Sequence, residues 1–185
     1  YLAWSGLRPM TELEYSKACR GPELPVANER VWGALLVRSV PTNIAFGGTA
    51  GEGPLSAHVN CVYGFVSTWG PLRVGCMGVG TGTREDAGAS YYGILELAGN
   101  VQERTITIGN ATGRLFRGTH GEGVLKSDGD PNVDSWPIGG LGAGYLGGAW
   151  SGGSSTMHLA SRGYVTYSTS SRLRDFGGRG VRTAP

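Results

Sequence analysis

The chain has 185 residues, of which 34 are glycine, 9 are proline and only 16% are charged. So much glycine excludes a helical bundle or a coiled coil, whereas 39% hydrophobic residues, with 5 Trp, 8 Tyr and 4 Phe, exclude a disordered chain. The net charge of +2 comes without a run of basic residues, so nucleic acid and acidic membrane surfaces are not indicated as partners. No apolar stretch approaches the roughly 20 residues of a membrane span.

Two further features concern organisation. The basic residues are arginines except for Lys17 and Lys126, and arginine favours fixed, bidentate or stacked contacts. The sequence begins with Tyr1 and no signal-peptide pattern follows. We therefore expect one domain over residues 1–185 that forms the C-terminal part of a longer protein.

The clearest local signal is a helix near the N-terminus. Thr11 and Glu14 have the spacing of a capping box, in which each side chain accepts a hydrogen bond from the backbone of the other residue. Gly21 and Pro22 are typical of a helix end, so a helix of about ten residues is predicted. Its apolar face is expected to include Leu13 and Ala18, with Tyr15 and Cys19 as further candidates.

After the helix, the sequence predicts short strands joined by glycine-rich loops. The predicted strands are residues 31–37, 59–66, 72–77, 101–108 and 115–118. Cys61 and Cys76 flank a candidate hairpin, which makes them candidates for a disulfide, whereas Cys19 is expected to be buried in the helix.

Residues 149–176 differ in composition from the rest of the chain. These 28 residues contain 7 Ser, 3 Thr and 2 Tyr, and no Lys, Glu, Gln, Asn or Pro. Glycine-rich motifs bracket the segment, Gly147–Trp150 before it and Gly177–Arg179 after it.

Four segments in this order resemble the formylglycine-generating-enzyme-like (sulfatase-modifying factor) branch of the C-type lectin fold. They are Leu7–Tyr15, Tyr92–Thr105 with its Ala-Gly-Asn-Val-x-Glu motif, Gly147–Trp150, and Arg172 followed by Gly178–Arg182. The resemblance spans nearly the whole chain and implies an α+β fold with short twisted antiparallel sheets, few helices and many irregular loops. Within it, Gly99 and Asn100 suit a tight turn with positive φ, and Trp150 is expected to fill the core.

The enzymatic residues of the family are not found here. The resemblance implies that an oxidase of the family has, late in its chain, a pair of cysteines that binds copper. In this sequence no cysteine follows Cys76. Its sulfoxide-synthase relatives use three histidines on iron, whereas the histidines here are widely spaced and lack that motif. We therefore predict that the chain is not an enzyme and has no catalytic residues.

Calcium is the one cofactor that the resemblance leaves open, and no metal ligands are assigned. Asn100 and Glu103 lie where the family often places oxygen ligands. The structural alternative is that Asn100 holds a turn and that Glu103 pairs with an arginine.

The same branch of the fold is used by the variable proteins of diversity-generating retroelements, which are typically phage receptor-binding tips or bacterial surface proteins. In them, adenine-directed mutagenesis rewrites a C-terminal segment between motifs similar to the two that bracket 149–176 here. Such mutagenesis of an adenine–adenine–pyrimidine codon never produces Trp, Met, Gln, Lys or Glu. Of these types, the segment contains only Trp150, part of the bracketing motif, and Met157.

The predicted function is therefore ligand binding by a retroelement-diversified region, in a phage tail receptor-binding protein located at the tail tip of the virion. The expected partner is a host cell-surface protein or glycan, without nucleic acid or membrane insertion, and the expected assembly is a homo-oligomer, with a trimer as one form. The alternatives are a bacterial surface adhesin of the same fold, an oxidase-like enzyme with an unrecognised metal site, and an inert structural module in which 149–176 is buried.

Within 149–176, a set of residues is predicted to be exposed, variable and ligand-binding. The set is Ala149, Ser151, Ser155, His158, Tyr164, Thr166, Tyr167, Ser168, Leu173, Asp175 and Phe176. Its aromatic members are expected to anchor the ligand, because aromatic side chains dominate binding energy and Tyr, Ser and Gly together form adaptable surfaces. Leu159, Arg162, Arg172 and Arg179 are expected to support the segment by packing and hydrogen bonding.

Overall fold

The fold is assembled from short elements separated by long irregular connections. The computed structural model describes residues 1–38, 44–55, 58–64, 70–78 and 82–184. Its strands are β1 (Arg8–Pro9), β2 (Ile44–Ala45), β3 (Gly53–Pro54), β4 (Gln102–Ile106), β5 (Ala143–Leu146), β6 (Phe176–Gly178) and β7 (Gly180–Val181), and its helices are α1 (Glu12–Arg20) and α2 (Ala111–Arg114). Single 3₁₀ turns occupy Cys76–Gly78 and Ser154–Met157. The coarse prediction of a mixed fold with few helices and short sheets is confirmed.

Helix α1 begins and ends as the sequence predicts. The backbone N–H of Glu14 donates to Thr11 Oγ1 over 3.2 Å, and the N–H of Thr11 donates to Glu14 Oε2 over 2.9 Å, which completes the capping box. At the other end, Gly21 has φ 66° and its N–H donates to the carbonyl of Lys17 over 2.8 Å.

The predicted apolar face of α1 is wrong in part. Leu13 is 60% exposed, whereas Tyr15, Cys19 and Glu12 are buried. The Tyr15 hydroxyl donates to the carbonyl of Leu97 over 2.6 Å, so this ring is drawn into the core by a polar contact that hydrophobicity alone does not indicate.

The main sheet has the order β5–β4–β6 and is mixed, not purely antiparallel as expected. Strand β5 runs antiparallel to β4, with Arg104 opposite Tyr145, and β6 runs parallel to β4, with Arg104 opposite Gly178. A parallel partner requires a long connection. The connection from β5 to β6 is the segment 147–175, which leaves the sheet and returns to its other edge. Two further sheets are antiparallel pairs, β1–β7 and β2–β3.

Four predicted strands are absent from the described residues. Residues 31–37, 59–64, 72–77 and 115–118 contain no strand, and residues 65–66 of the second prediction lie outside the described part. In the first of these segments, Trp32 is buried and its Nε1 donates to the carbonyl of Leu36 over 3.0 Å, which closes a bend. These segments are therefore irregular backbone without strand partners among the described residues, and only some of their apolar side chains are buried, since Leu35, Leu36 and Val74 are more than half exposed.

The proposed disulfide is also absent. Cys61 and Cys76 are both free thiols and both buried, as is Cys19. They lie in different core clusters, because residues 72–78 end in a 3₁₀ turn and do not form the expected hairpin. Burial raises the pKa of each of the three thiols to about 12.

The motif turns have the predicted conformations. Gly99 and Asn100 have φ values of 73° and 58°. Trp150 is buried in a core cluster with Val59, Val62, Cys76 and Met77. A side chain at Gly147 would lie 2.3 Å from the carbonyl oxygen of Leu97, so only glycine permits this approach. No helix in the described part of the chain combines the length and the apolar character that a membrane span requires.

Candidate ligand-binding surface

The Ala-Gly-Asn-Val-x-Glu motif serves the scaffold. The Asn100 amide binds both backbone groups of Leu72: Oδ1 accepts from its N–H over 2.8 Å and Nδ2 donates to its carbonyl over 3.0 Å. Glu103 is 2% exposed and pairs with the guanidinium of Arg179, which also donates to the carbonyl of Glu96 over 2.9 Å. Asn100 and Glu103, the two residues considered above as calcium ligands, thus both have partners within the protein. Calcium binding at this place stays a prediction. Among the described residues, no group of three or more His, Cys, Asp or Glu side chains is placed to hold a metal ion.

Burial is the main cause of the shifted pKa values of two neighbouring carboxyl groups, those of Glu103 and Glu96. Desolvation raises the pKa of Glu103, and the charge of Arg179 and its hydrogen bond oppose that shift. Desolvation also raises the pKa of Glu96 to about 7, against hydrogen bonds from the backbone of Gly75 and Met77. One carboxylate oxygen of Glu96 and one of Glu103 are buried without a hydrogen-bond partner.

Four aromatic rings form a continuous group, which we term the aromatic cluster. Tyr145 is in β5, Phe176 is in β6, and Tyr164 and Tyr167 lie in the connection between these strands. The rings of Tyr145 and Phe176 are stacked with centroids 4.2 Å apart, and Tyr167 contacts Phe176 edge-on at 6.3 Å. Tyr164 meets Tyr167 edge-on at 5.9 Å. Tyr145 is buried, but Tyr164 and Tyr167 are 45% and 48% exposed. Half-exposed tyrosines in contact with one another present apolar faces and hydroxyl groups together to solvent.

A groove of about 450 Å³ lies beside the aromatic cluster, and we term it the arginine groove. Its lining is Arg104, Tyr145, Ser171, Arg172, Leu173, Arg174, Phe176 and Gly177. The Arg104 guanidinium lies 5.8 Å from the centroid of the Tyr145 ring, and that of Arg174 lies 4.9 Å from the centroid of the Trp150 ring. The surface therefore combines planar cations with aromatic rings.

The structure brings part of the predicted variable set together. Tyr164, Tyr167 and Phe176 belong to the aromatic cluster, and Leu173 lines the groove. Nearby, Ser151 Oγ donates to Asp175 Oδ2 over 2.9 Å. Thr166 and Ser168, which flank Tyr167 in sequence, are exposed.

Ser155 and His158 lie at a different place. Ser155 is in the 3₁₀ turn and His158 follows it, where it forms an isolated β-bridge with Arg30. Partial burial and the charge of Arg30 lower the pKa of His158. No contact in the described structure joins these two residues to the aromatic cluster.

The prediction that Ala149 is exposed is wrong. Its exposure is 1%, because it directly precedes Trp150, whose N–H donates to the carbonyl of Asn100 over 2.8 Å and holds this backbone inside the molecule. The alternative in which the tyrosines of 149–176 are core residues is equally wrong for Tyr164 and Tyr167, which are both about half exposed.

Three of the four predicted supporting residues contact the scaffold. Leu159 is buried and its N–H donates to the carbonyl of Glu29 over 2.9 Å. The Arg162 guanidinium lies 3.9 Å from Glu12 of α1, and Arg179 pairs with Glu103. Arg172 does not have this role, because it is exposed and lines the groove.

Sequence reasoning missed Tyr145, Arg104 and Arg174. Tyr145 and Arg104 are directly opposite each other on β5 and β4, so their contact depends on the register of two strands. The signal that could have found Arg104 is its place on the alternating strand, on the face opposite the buried Glu103 and Thr105. For Arg174, the only signal in the sequence is its closeness to Phe176, which was predicted to bind the ligand.

Comparison of the chain with protein-family models, with curated proteins and with solved structures found no match.

Proposed function

We propose that this chain is a recognition domain that binds its ligand with the aromatic cluster and the adjoining arginine groove. The observation that carries the proposal is the exposure of Tyr164 and Tyr167, at 45% and 48%, within a continuous group of four rings. Solvent-exposed aromatic clusters of this kind supply large contact area at low conformational cost.

Main-chain contacts hold the segment that carries these rings. The N–H of Tyr145 donates to the carbonyl of Tyr164, and the N–H of Gln102 donates to the carbonyl of Asp175, each over 2.9 Å. Any residue other than proline makes a main-chain hydrogen bond of this kind, and a carbonyl acceptor is available from every residue. The exposed side chains of the segment are therefore replaceable without loss of these contacts, as a diversified surface requires.

We further propose that the fold is of the C-type lectin-like, formylglycine-generating type and that a retroelement diversifies residues 149–176. The motif resemblances and the residue types absent from 149–176 support this proposal. A phage tail receptor-binding protein at the virion tip, acting as a homo-oligomer on a host-surface protein or glycan, is our first choice, and a bacterial surface adhesin is the second. We propose no catalytic activity.

The diversification is tested at the DNA locus. We expect a near-copy of the codons for residues 149–179 beside a reverse-transcriptase gene, with differences confined almost entirely to adenines of the copy. An intact locus with neither feature would contradict diversification, and the chain would then be a fixed adhesin or an enzyme.

The binding surface is tested by flow cytometry of the labelled chain on a panel of bacterial strains. On a strain that binds the native chain, we expect Tyr167→Ala to weaken binding at least about tenfold, because hot-spot aromatics contribute about 2 kcal/mol or more. Tyr92→Ala is the matched control, since Tyr92 is 57% exposed but lies outside the aromatic cluster. Equal loss in the two variants, or none in Tyr167→Ala, would contradict the assignment of this surface.

A further inference from the structure

The arginines of the chain differ in whether their guanidinium group has a hydrogen-bond acceptor within the protein. Of the 14 arginines, nine donate to a carbonyl, a hydroxyl or a carboxylate within the described structure. The guanidinium groups without such an acceptor among the described residues are those of Arg104, Arg117, Arg172, Arg174 and Arg182. Three of these five line the arginine groove.

The two acidic side chains adjacent in sequence to these arginines have other partners, because Glu103 pairs with Arg179 and Asp175 accepts from Ser151. Asp175 Oδ2 accepts from Ser151 Oγ over 2.9 Å, and no carboxylate in the described structure lies within 4.0 Å of Arg104, Arg172 or Arg174. The groove is thus a concentration of unpaired positive charge in a chain whose net charge is only +2.

The geometry around Arg104 limits its freedom. Its guanidinium is packed against the Tyr145 ring, and a side chain at Gly140 would lie 3.1 Å from its Nη2. A guanidinium held in this way keeps a defined plane, and a planar fork of donors matches the two oxygens of a carboxylate.

We infer that the arginine groove binds the carboxylate of an acidic glycan, with the sugar ring against the aromatic cluster. This inference rests on the function proposed above and names the class of ligand. A pyranose ring presents C–H groups on its face, which pack on the half-exposed ring of Tyr167, while its carboxylate accepts from the arginines. The groove volume of about 450 Å³ is in the range of sites for small ligands, which fits a few sugar units.

The test uses biolayer interferometry with the native chain immobilised. The probes are polysialic acid and polygalacturonate, with carboxyl-reduced polygalacturonate as the matched neutral polymer and poly-L-glutamate as an acidic polymer without sugar. We expect at least one carboxylated polysaccharide to bind, carboxyl reduction to abolish binding of polygalacturonate where that polymer binds, and added salt to weaken binding. Poly-L-glutamate is expected to bind at least about tenfold more weakly, because it lacks the sugar ring.

Variants assign the binding to the groove. Arg172→Ala/Arg174→Ala is expected to weaken binding at least about tenfold, since it removes charge-assisted hydrogen bonds to the carboxylate. Arg117→Ala/Arg182→Ala is the matched control, because it removes the same charge from two exposed arginines outside the groove. All four residues are exposed, so both variants are expected to fold, which circular dichroism checks.

Each contrary outcome overturns the inference. These outcomes are no binding of either polysaccharide, equal binding of poly-L-glutamate or of the carboxyl-reduced polymer, and equal loss in the two double variants. Failure here is distinguishable from failure of the proposed function. A retroelement at the locus, together with loss of cell binding in Tyr167→Ala, would keep the proposed function and reject only the acidic glycan.

Discussion

Asn100 links the sequence motif to a stability cost that can be worked out from the structure. Its side chain is buried and makes two hydrogen bonds to the backbone of Leu72, and its own backbone has a φ of 58°. Asn100→Ala removes both hydrogen bonds, at about 1 kcal/mol each. It also places alanine in the left-handed region, at about 1 kcal/mol more. The free energy of unfolding is therefore expected to fall by about 3 kcal/mol.

Asn100→Gly separates the two contributions, because glycine adopts positive φ without steric cost. We expect this variant to lose about 2 kcal/mol, from the hydrogen bonds alone. Urea denaturation followed by circular dichroism measures both variants against the native chain. A glycine variant less stable than the alanine variant would refute the backbone argument, and native-like stability of both would refute the role of the Leu72 contacts.

Three further predictions concern the buried charges and the support of the binding segment. Burial raises the pKa of Glu96 to about 7 from its ordinary 4.5, so the folded state holds this proton more tightly and the native chain loses stability as the pH rises through that window. Glu96→Gln cannot ionise, and urea denaturation at pH ~5 and ~8 is expected to show it gaining stability relative to the native chain at the higher pH; a constant difference would contradict the shift. Arg179→Ala leaves Glu103 buried and unpaired and is expected to cost about 3 kcal/mol near neutral pH, measured in urea, with a smaller loss in acid where Glu103 is protonated; an equal loss at both pH values would argue against an effect of charge. A side chain at Gly144 would lie 1.9 Å from a backbone carbonyl oxygen, so Gly144→Ala is expected to lower the melting temperature strongly, whereas the control Gly153→Ala, with no atom within 4 Å, is not.

Sequence reasoning succeeded where the determinants are local. The start of α1 depends on Thr11 and Glu14, which are three residues apart, and both of its capping hydrogen bonds form. Strand β4 was visible because its alternation extends over several residues. The positive φ values at Gly99 and Asn100 are likewise properties of the residues themselves.

It failed where pairing depends on distant parts of the chain. Strands of two to four residues, such as β5 and β6, are too short to show periodicity, and they exist because β4 lies between them. Conversely, the apolar run at 31–37 has the composition of a strand but no partner strand in the described part of the chain, and it is partly buried as bends. At the candidate site, the composition of 149–176 predicted Tyr164 and Tyr167 as ligand-binding residues. It could not predict Tyr145, which is placed in the aromatic cluster by the pairing of β4 with β5.

The division of the surface between two kinds of element has a consequence for specificity. Arg104 and Tyr145 are on paired strands outside 149–176, so the proposed diversification of that segment would leave them unchanged. Tyr164 and Tyr167 lie within the segment, and their exposed rings are free to change. A fixed cation and a fixed ring would supply affinity for one chemical class of ligand in every variant, and the changing residues would select among its members. Specificity is a difference between affinities, so a constant contribution common to all ligands retains binding while the variable residues alter the choice.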